Sequence, residues 1–153
     1  MASYSLGLTL YNLAQRQTAQ EVIFPPRAAG RLIWLHAPNL EVQTRLAELA
    51  RHLVNEDGLE VLLTGPDPVP ESDGLAWMLP PADVQGDVAA FLDHWRPEMI
   101  VFSSGELRPA LVIEAHQRKI PLIMIDAGTP YLLRGREGWY PGLTRSVLSL
   151  FSH

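Results

Sequence analysis

The sequence predicts an α/β domain built on a doubly wound, mostly parallel, five-stranded sheet. Three observations carry that reading. Short apolar runs alternate with longer amphipathic segments along the chain. The runs lack a two-residue alternation, as strands covered on both faces do. Each run closes on proline, glycine or a polar residue that stops a strand.

The first strand is Arg31-Leu-Ile-Trp-Leu-His36. Pro38 and Asn39 end it, because proline fixes φ and asparagine favours turns and N-caps. A helix follows over Val42 to Val54, with Val42, Leu46, Leu49, Ala50 and Leu53 spaced along one face. Gly58 is placed to close it in the left-handed conformation. Leu59 to Thr64 forms the second strand, and residues 65–74 are a loop by composition.

Leu75 to Leu79 is a short third strand closed by Pro80-Pro81. Asp83 is placed to cap a helix over Val84 to Trp95, whose inward face holds Val88, Phe91, Leu92 and Trp95. Met99 to Phe102 is the fourth strand and opens onto Ser103-Ser104-Gly105-Glu106. Leu107 to Arg118 is helical, with Leu111, Val112 and Ala115 inward. Ile120 to Ile125 is the fifth strand and ends in Asp126-Ala127-Gly128-Thr129-Pro130. A loop with Arg134 and Arg136 leads to a last amphipathic helix, Leu143 to Phe151.

The chain divides into an N-terminal helix (1–17), a connector (18–30) and the α/β domain (31–153). The stretch Leu6 to Ala14 is apolar but far short of the roughly 20 residues that span a bilayer. It also lacks the basic start and cleavage site of a signal peptide. Two readings stay open for it: a helix packed on the domain, or an interfacial helix in peripheral membrane contact with Tyr4 and Tyr11 near headgroups.

At 153 residues the chain is about one domain, able to bury a core unaided. It has no cysteine, which excludes a disulfide framework and a thiol nucleophile. A net charge of -5 argues against nucleic acid as a partner. The histidines at 36, 52, 94, 116 and 153 form no ligand pair, so no metal is expected. No Gly-x-Gly-x-x-Gly follows the first strand, and neither a P-loop nor a Gly-x-Ser-x-Gly elbow occurs.

Parallel strands bring their carboxyl ends to one edge, where open α/β folds bind ligands. Three polar groups fall there: His36/Asn39/Glu41, Ser103/Ser104/Glu106 and Asp126/Thr129. Each also has a plain reading. Glu41 is either a first-turn carboxylate favoured by the helix dipole or a catalytic base. His36 is either a hydrogen-bonded strand end or catalytic. Ser104 could cap a helix beginning at Glu106, Asp126 could close a turn, and Gly105 and Gly128 could serve the backbone alone.

The segments Leu32 to Ala37, Phe91 to Val101, Gly105-Glu106-Leu107-Arg108-Pro109 and Arg118 to Ala127 resemble, in order and spacing, the N-terminal domain of 3-deoxy-D-manno-octulosonic acid (Kdo) transferases. The resemblance implies a Rossmann-like, acceptor-side lobe of a two-lobed GT-B glycosyltransferase of lipopolysaccharide biosynthesis. That lobe would bind a lipid A-type acceptor on the cytoplasmic face of the inner membrane. The donor lobe, for CMP-Kdo, is expected outside this chain. No cofactor or metal is implied.

The reactive loops depart from the family pattern. The family's first loop, His-Ala-x-Ser-x-Gly-Glu, ends in the general base; here it reads His36-Ala-Pro-Asn-Leu-Glu-Val42, with Glu41 one place early. One helical residue is a rotation of ~100°. The family's Glu-Thr-Glu-Leu-Trp-Pro-Asn becomes Ser104-Gly-Glu-Leu-Arg-Pro-Ala110, keeping the second Glu as Glu106. Asn-Ala-Arg becomes Asp126-Ala127-Gly128. The resemblance assigns Glu41 as base and Glu106 and Asn39 as groups that position the acceptor hydroxyl. Arg108, Arg134 and Arg136 would meet acceptor phosphates. A non-catalytic binding or regulatory domain on the same scaffold is the alternative.

Overall fold

The computed structural model describes residues 23–125, 131–132 and 143–152. Strands β1 (Leu32–His36), β2 (Glu60–Thr64), β3 (Leu75–Met78), β4 (Met99–Ser103) and β6 (Leu122–Ile125) form one sheet in the order β3-β2-β1-β4-β6. Every pairing in it is parallel, with Trp34 opposite Leu62 on one side and Ile100 on the other. Two short strands, β5 (Glu106–Leu107) and β7 (Tyr131–Leu132), pair parallel in a second small sheet. The helices are α1 (Leu40–Asp57), α2 (Gln85–Trp95), α3 (Pro109–Gln117) and α4 (Leu143–Leu148). Among the described residues no helix is long and apolar enough to cross a membrane.

The runs are continuously apolar because both sheet faces are covered. Odd and even strand positions feed separate cores. Ile33, Leu35, Val61, Leu63 and Val101 pack under α1 with Val42, Leu46, Ala47 and Ala50. Leu32, Trp34, Leu62, Ile100 and Phe102 pack under α2 and α3 with Phe91, Leu92, Trp95, Leu111 and Val112. Val147 and Leu150, at and just beyond α4, join this second core. The Ser152 amide donates to the Leu122 carbonyl, fastening the end of the described chain to the start of β6. The second core holds more of the large aromatic side chains, and Trp34 lies 4.5 Å from Phe91 between ring centroids.

Most elements lie where periodicity placed them, with shifted ends. The fifth strand of the main sheet begins at Leu122 rather than Ile120, the helix expected from Leu107 begins at Pro109, and the last helix ends at Leu148. The expected N-terminal helix lies outside the described residues. The part of the connector that is described packs on α2: Phe24 stacks on His94 with centroids 4.8 Å apart, and Arg27 Nε donates to the Trp95 carbonyl at 2.5 Å.

One expectation about α1 is corrected. Leu49 was placed on the buried face and is exposed, while Gln43 is buried. The helix is turned so that Leu46 and Ala50 lie near the centre of its buried stripe. Gln43 explains the turn. Its Oε1 accepts from the Asp67 amide at 3.2 Å and its Nε2 donates to the Asp67 carbonyl at 2.6 Å, pinning the β2–β3 loop to the helix. Gly65 makes room: a Cβ there would sit 2.2 Å from Gln43 Oε1.

Gly65→Ala should therefore lower stability by about 1–3 kcal/mol, the usual penalty of forcing an extra group into a packed site. In a Gln43→Ala background the obstruction is gone, so the same change should have a much smaller effect. Urea unfolding of the four proteins in the double-mutant cycle measures this coupling; simple additivity would refute the clamp.

Candidate functional site

β1 and β4 are neighbours, and the sheet order reverses between them, since β2 lies on the far side of β1 and β6 on the far side of β4. Their carboxyl ends carry His36 and Ser103. The turn after β4 takes two successive positive-φ residues, Ser104 at 62° and Gly105 at 80°. It delivers Glu106 to β5 and back toward β1.

Glu106 and Arg108 are buried beside His36. His36 Nε2 lies 3.0 Å from Glu106 Oε1, and Arg108 Nε donates to the same oxygen at 2.8 Å. His36 Nδ1 lies 2.8 Å from Thr64 Oγ1, which also accepts from Trp34 Nε1 at 2.9 Å. Arg108 Nη1 donates to the Pro81 carbonyl at 2.6 Å. Six residues on four segments thus form one chain of bonds, from the Trp34 indole donor at one end to the Pro81 carbonyl acceptor at the other.

With His36 neutral, as its lowered pKa favours, the chemistry of the groups fixes the proton positions. An ionised Glu106 only accepts, so His36 must donate through Nε2. The Thr64 oxygen accepts from Trp34 and turns its hydroxyl proton to His36 Nδ1. His36 is then the neutral Nε2–H tautomer. Burial pushes its pKa below the ordinary 6.5, and the neighbouring Arg108 charge adds to this, against the pull of Glu106. Burial also pushes the Glu106 carboxyl up, but its bonds to His36 and Arg108 outweigh that and hold it at about 2.

Several expectations are corrected here. Arg108, expected to meet phosphate, is a buried counter-ion to Glu106 with its side chain 9% exposed. Its reason is electrostatic, since a buried carboxylate requires a partner. Ser104 does not cap a helix, and Glu106 lies in a strand rather than a first helical turn. The cap comes from Asp83, which was expected to cap α2. Its carboxylate accepts from the amides of Ala110 at 3.3 Å and Leu111 at 3.0 Å, at the start of α3. Residue Val84 occupies the N-cap of α2 with no side-chain bond.

The first loop keeps Asn39 as the N-cap of α1, its Oδ1 accepting from the Val42 amide at 3.0 Å. Val42 is buried among the residues under α1. The Glu41 side chain is 85% exposed and pairs with Arg45 at 3.3 Å, apart from the buried chain of bonds. Ser103 is buried with its Oγ 3.5 Å from that of Ser104, whose amide donates to the Ile125 carbonyl. Asp126, Thr129, Arg134 and Arg136 lie outside the described residues. No cluster of three or more metal-ligating side chains occurs among the described residues. Sequence reading missed Thr64 and Trp34. Thr64 was within reach of it, as the lone polar residue closing the apolar run of β2 on the same edge.

The network sets the acid limit of the fold. Burial holds the His36 pKa below the ordinary 6.5, so as pH falls through 6.5 the unfolded chain takes up this proton before the folded chain does. Glu106 is held at about 2 against an ordinary 4.5, and the stabilisation this gives is lost as pH falls between those values. Stability should be flat above about pH 7 and decline below it. His36→Gln, which retains an N–H for Glu106 but cannot titrate, should flatten the slope between pH 7 and 5.5. Urea titrations at several pH values test this; an unchanged slope would rule out His36 as its source.

Two comparisons bear on these residues. The sequence model of the 3-deoxy-D-manno-octulosonic-acid transferase (kdotransferase) family matches residues 11–153. A "Probable 3-deoxy-D-manno-octulosonic acid transferase, mitochondrial" from Arabidopsis thaliana is 32% identical over 114 residues, covering 66% of this chain and 24% of that protein. The chain thus spans about a quarter of that relative's length. No solved structure matches it. The family match takes in the whole sheet, the first loop and the Glu106–Arg108 segment, and the chain belongs to the 3-deoxy-D-manno-octulosonic acid transferase family.

Proposed function

We propose that this chain is the acceptor-side lobe of a GT-B glycosyltransferase that, in a full-length parent, moves Kdo from CMP-Kdo to a lipid A-type acceptor. The observation that carries the reading is the bond between His36 and Glu106 at 3.0 Å. It joins two segments, 70 residues apart, that share the family pattern, and it sits where parallel α/β sheets bind ligands.

In this reading an acceptor hydroxyl attacks the anomeric carbon of Kdo. A new C–O bond forms, the bond to the CMP phosphate breaks, and CMP leaves with the electron pair. The hydroxyl proton passes to Glu41, the one carboxylate on the first loop. Glu106, fixed and ionised, accepts a hydrogen bond from the acceptor and orients it. Arg134 and Arg136 meet acceptor phosphates, because Arg108 is engaged elsewhere. The lobe works in the cytoplasm, in peripheral contact with the inner membrane.

A second reading has its own support. Val42 stands at the family's base position and is buried, and Glu41 is paired with Arg45 in solvent. A regulatory or binding domain without transferase chemistry would be free to lose that base. Sugar transfer by the full-length parent separates the two. As base, Glu41→Gln should lower kcat by roughly 10²–10⁴ with the fold intact. Unchanged turnover removes Glu41 from the role. A parent that transfers no Kdo and gives no heat with a lipid A analogue favours the regulatory domain.

A further inference from the structure

The two oxygens of Glu106 are in different states. His36 and Arg108 both donate to Oε1. Among the described residues nothing donates to Oε2. Nor is Oε2 sealed in, since the buried side-chain atoms without a partner among those residues are the Trp77 and Trp95 indole nitrogens. With the side chain only 7% exposed, Oε2 is the part of the carboxylate that a ligand can reach.

The direction of Oε2 depends on what holds Oε1. Arg108 lies two residues along the same segment and moves with it, whereas His36 reaches over from β1 and fixes the carboxylate against the sheet. A histidine ring turns about its Cβ–Cγ bond with only a broad preference, so Nε2 is aimed only when the ring has a second anchor. Phe102 meets the ring edge with centroids 6.0 Å apart, a contact without a defined direction. Thr64 Oγ1, 2.8 Å from Nδ1, supplies the directed anchor.

The Thr64 hydroxyl has no share in building the sheet. Thr64 stands opposite His36 in the parallel register, and its backbone carbonyl accepts from the Ala37 amide at 2.8 Å. A valine would serve that strand equally well. The hydroxyl is instead fully enclosed, where an unbonded polar group is costly. The Trp34 indole can only donate to it, which leaves its proton for Nδ1.

We infer that Thr64 is a positioning residue: acting through His36, its hydroxyl sets the direction in which Glu106 Oε2 meets the acceptor. The inference rests on the transfer reading, in which Glu106 orients the acceptor hydroxyl. Enclosed as it is, Thr64 touches no ligand at the rim itself.

The test has a spectroscopic arm and a kinetic one. In the 153-residue chain, imidazole nitrogen NMR should show His36 protonated on Nε2, with a bare Nδ1 displaced toward the hydrogen-bonded range. Thr64→Val should return Nδ1 to the value of a free bare nitrogen and speed exchange of the Nε2 proton about tenfold, the worth of one hydrogen bond. Thr64→Ser, which keeps the hydroxyl, should keep both native values. In the full-length parent, Thr64→Val should lower kcat/KM for the acceptor by a similar factor, about tenfold, at an unchanged KM for the donor, and Thr64→Ser should restore it. Thr64→Cys, with a weak donor of similar size, takes the place of Thr64→Val if that variant melts early. A proton on Nδ1, Nε2 exchange indifferent to the loss of the hydroxyl, or an active parent whose acceptor kcat/KM ignores that loss would overturn the inference and leave the transfer reading standing. A parent that transfers no Kdo with threonine in place would remove both.

Discussion

The ionised carboxylate of Glu106, buried at the carboxyl edge of the sheet, is the constraint on which the neighbouring structure depends. A charge removed from water costs several kcal/mol unless other groups replace the lost hydration. Two groups do so on one oxygen, His36 at 3.0 Å and Arg108 at 2.8 Å. Each must in turn be satisfied. His36 recruits Thr64 and Trp34, and Arg108 recruits the Pro81 carbonyl. The ends of β1 and β2, the β3–α2 loop and the β4–α3 segment are thereby tied together by side-chain polar bonds.

Strand parity decides which side of the sheet holds this network. Trp34 and His36 are two apart on β1, and Leu62 and Thr64 are two apart on β2. Trp34 and Leu62 face α2 and α3, so His36 and Thr64 continue the same face at the edge. The aromatic core therefore passes without a break into the polar chain, with the Trp34 indole belonging to both. Its ring packs on Phe91, and its N–H begins the sequence of bonds. Asp83 performs a similar double service a few residues from Pro81, closing α3 from another loop.

The sheet was legible because its signals are local. Continuous apolar runs, Asn39 as a cap, Gly58 with φ of 63° and the proline breaks each act within a few residues, and the structure follows them. The rim was legible as a place, since parallel strands must share a carboxyl edge, and β1, β4 and β6 do. The wiring was not. Arg108 read as a phosphate contact because nothing near it in sequence reveals the depth at which Glu106 is buried. Asp83 read as the cap of the next helix because capping is normally local, whereas its acceptors serve amides 27 and 28 residues on. Leu49 read as buried because the apolar residues alone define a face; the rotation is set by Gln43, whose partner lies 24 residues away. The misses share one cause, which is polar groups choosing partners through the fold rather than along the chain.

The same electrostatics bear on the proposed transfer. A carboxylate held at about 2 is a poor proton acceptor near neutral pH, because a general base works best with its pKa near the operating pH. The bonds that keep Glu106 buried and fixed thus also disqualify it from removing a proton, and they suit it to accepting a hydrogen bond from a group it helps to orient. In the transfer proposed above, the proton would have to pass to a side chain outside the network. On the first loop Glu41 is the remaining carboxylate, and it differs from Glu106 in each relevant respect: solvent surrounds it, and its ion partner is a neighbour on the same helix. In the proposed transfer, a rim with one fixed acceptor and one solvated carboxylate would separate orientation from proton removal. The position that would unite base and loop in the family pattern is here the apolar Val42, spent on anchoring α1 to the sheet.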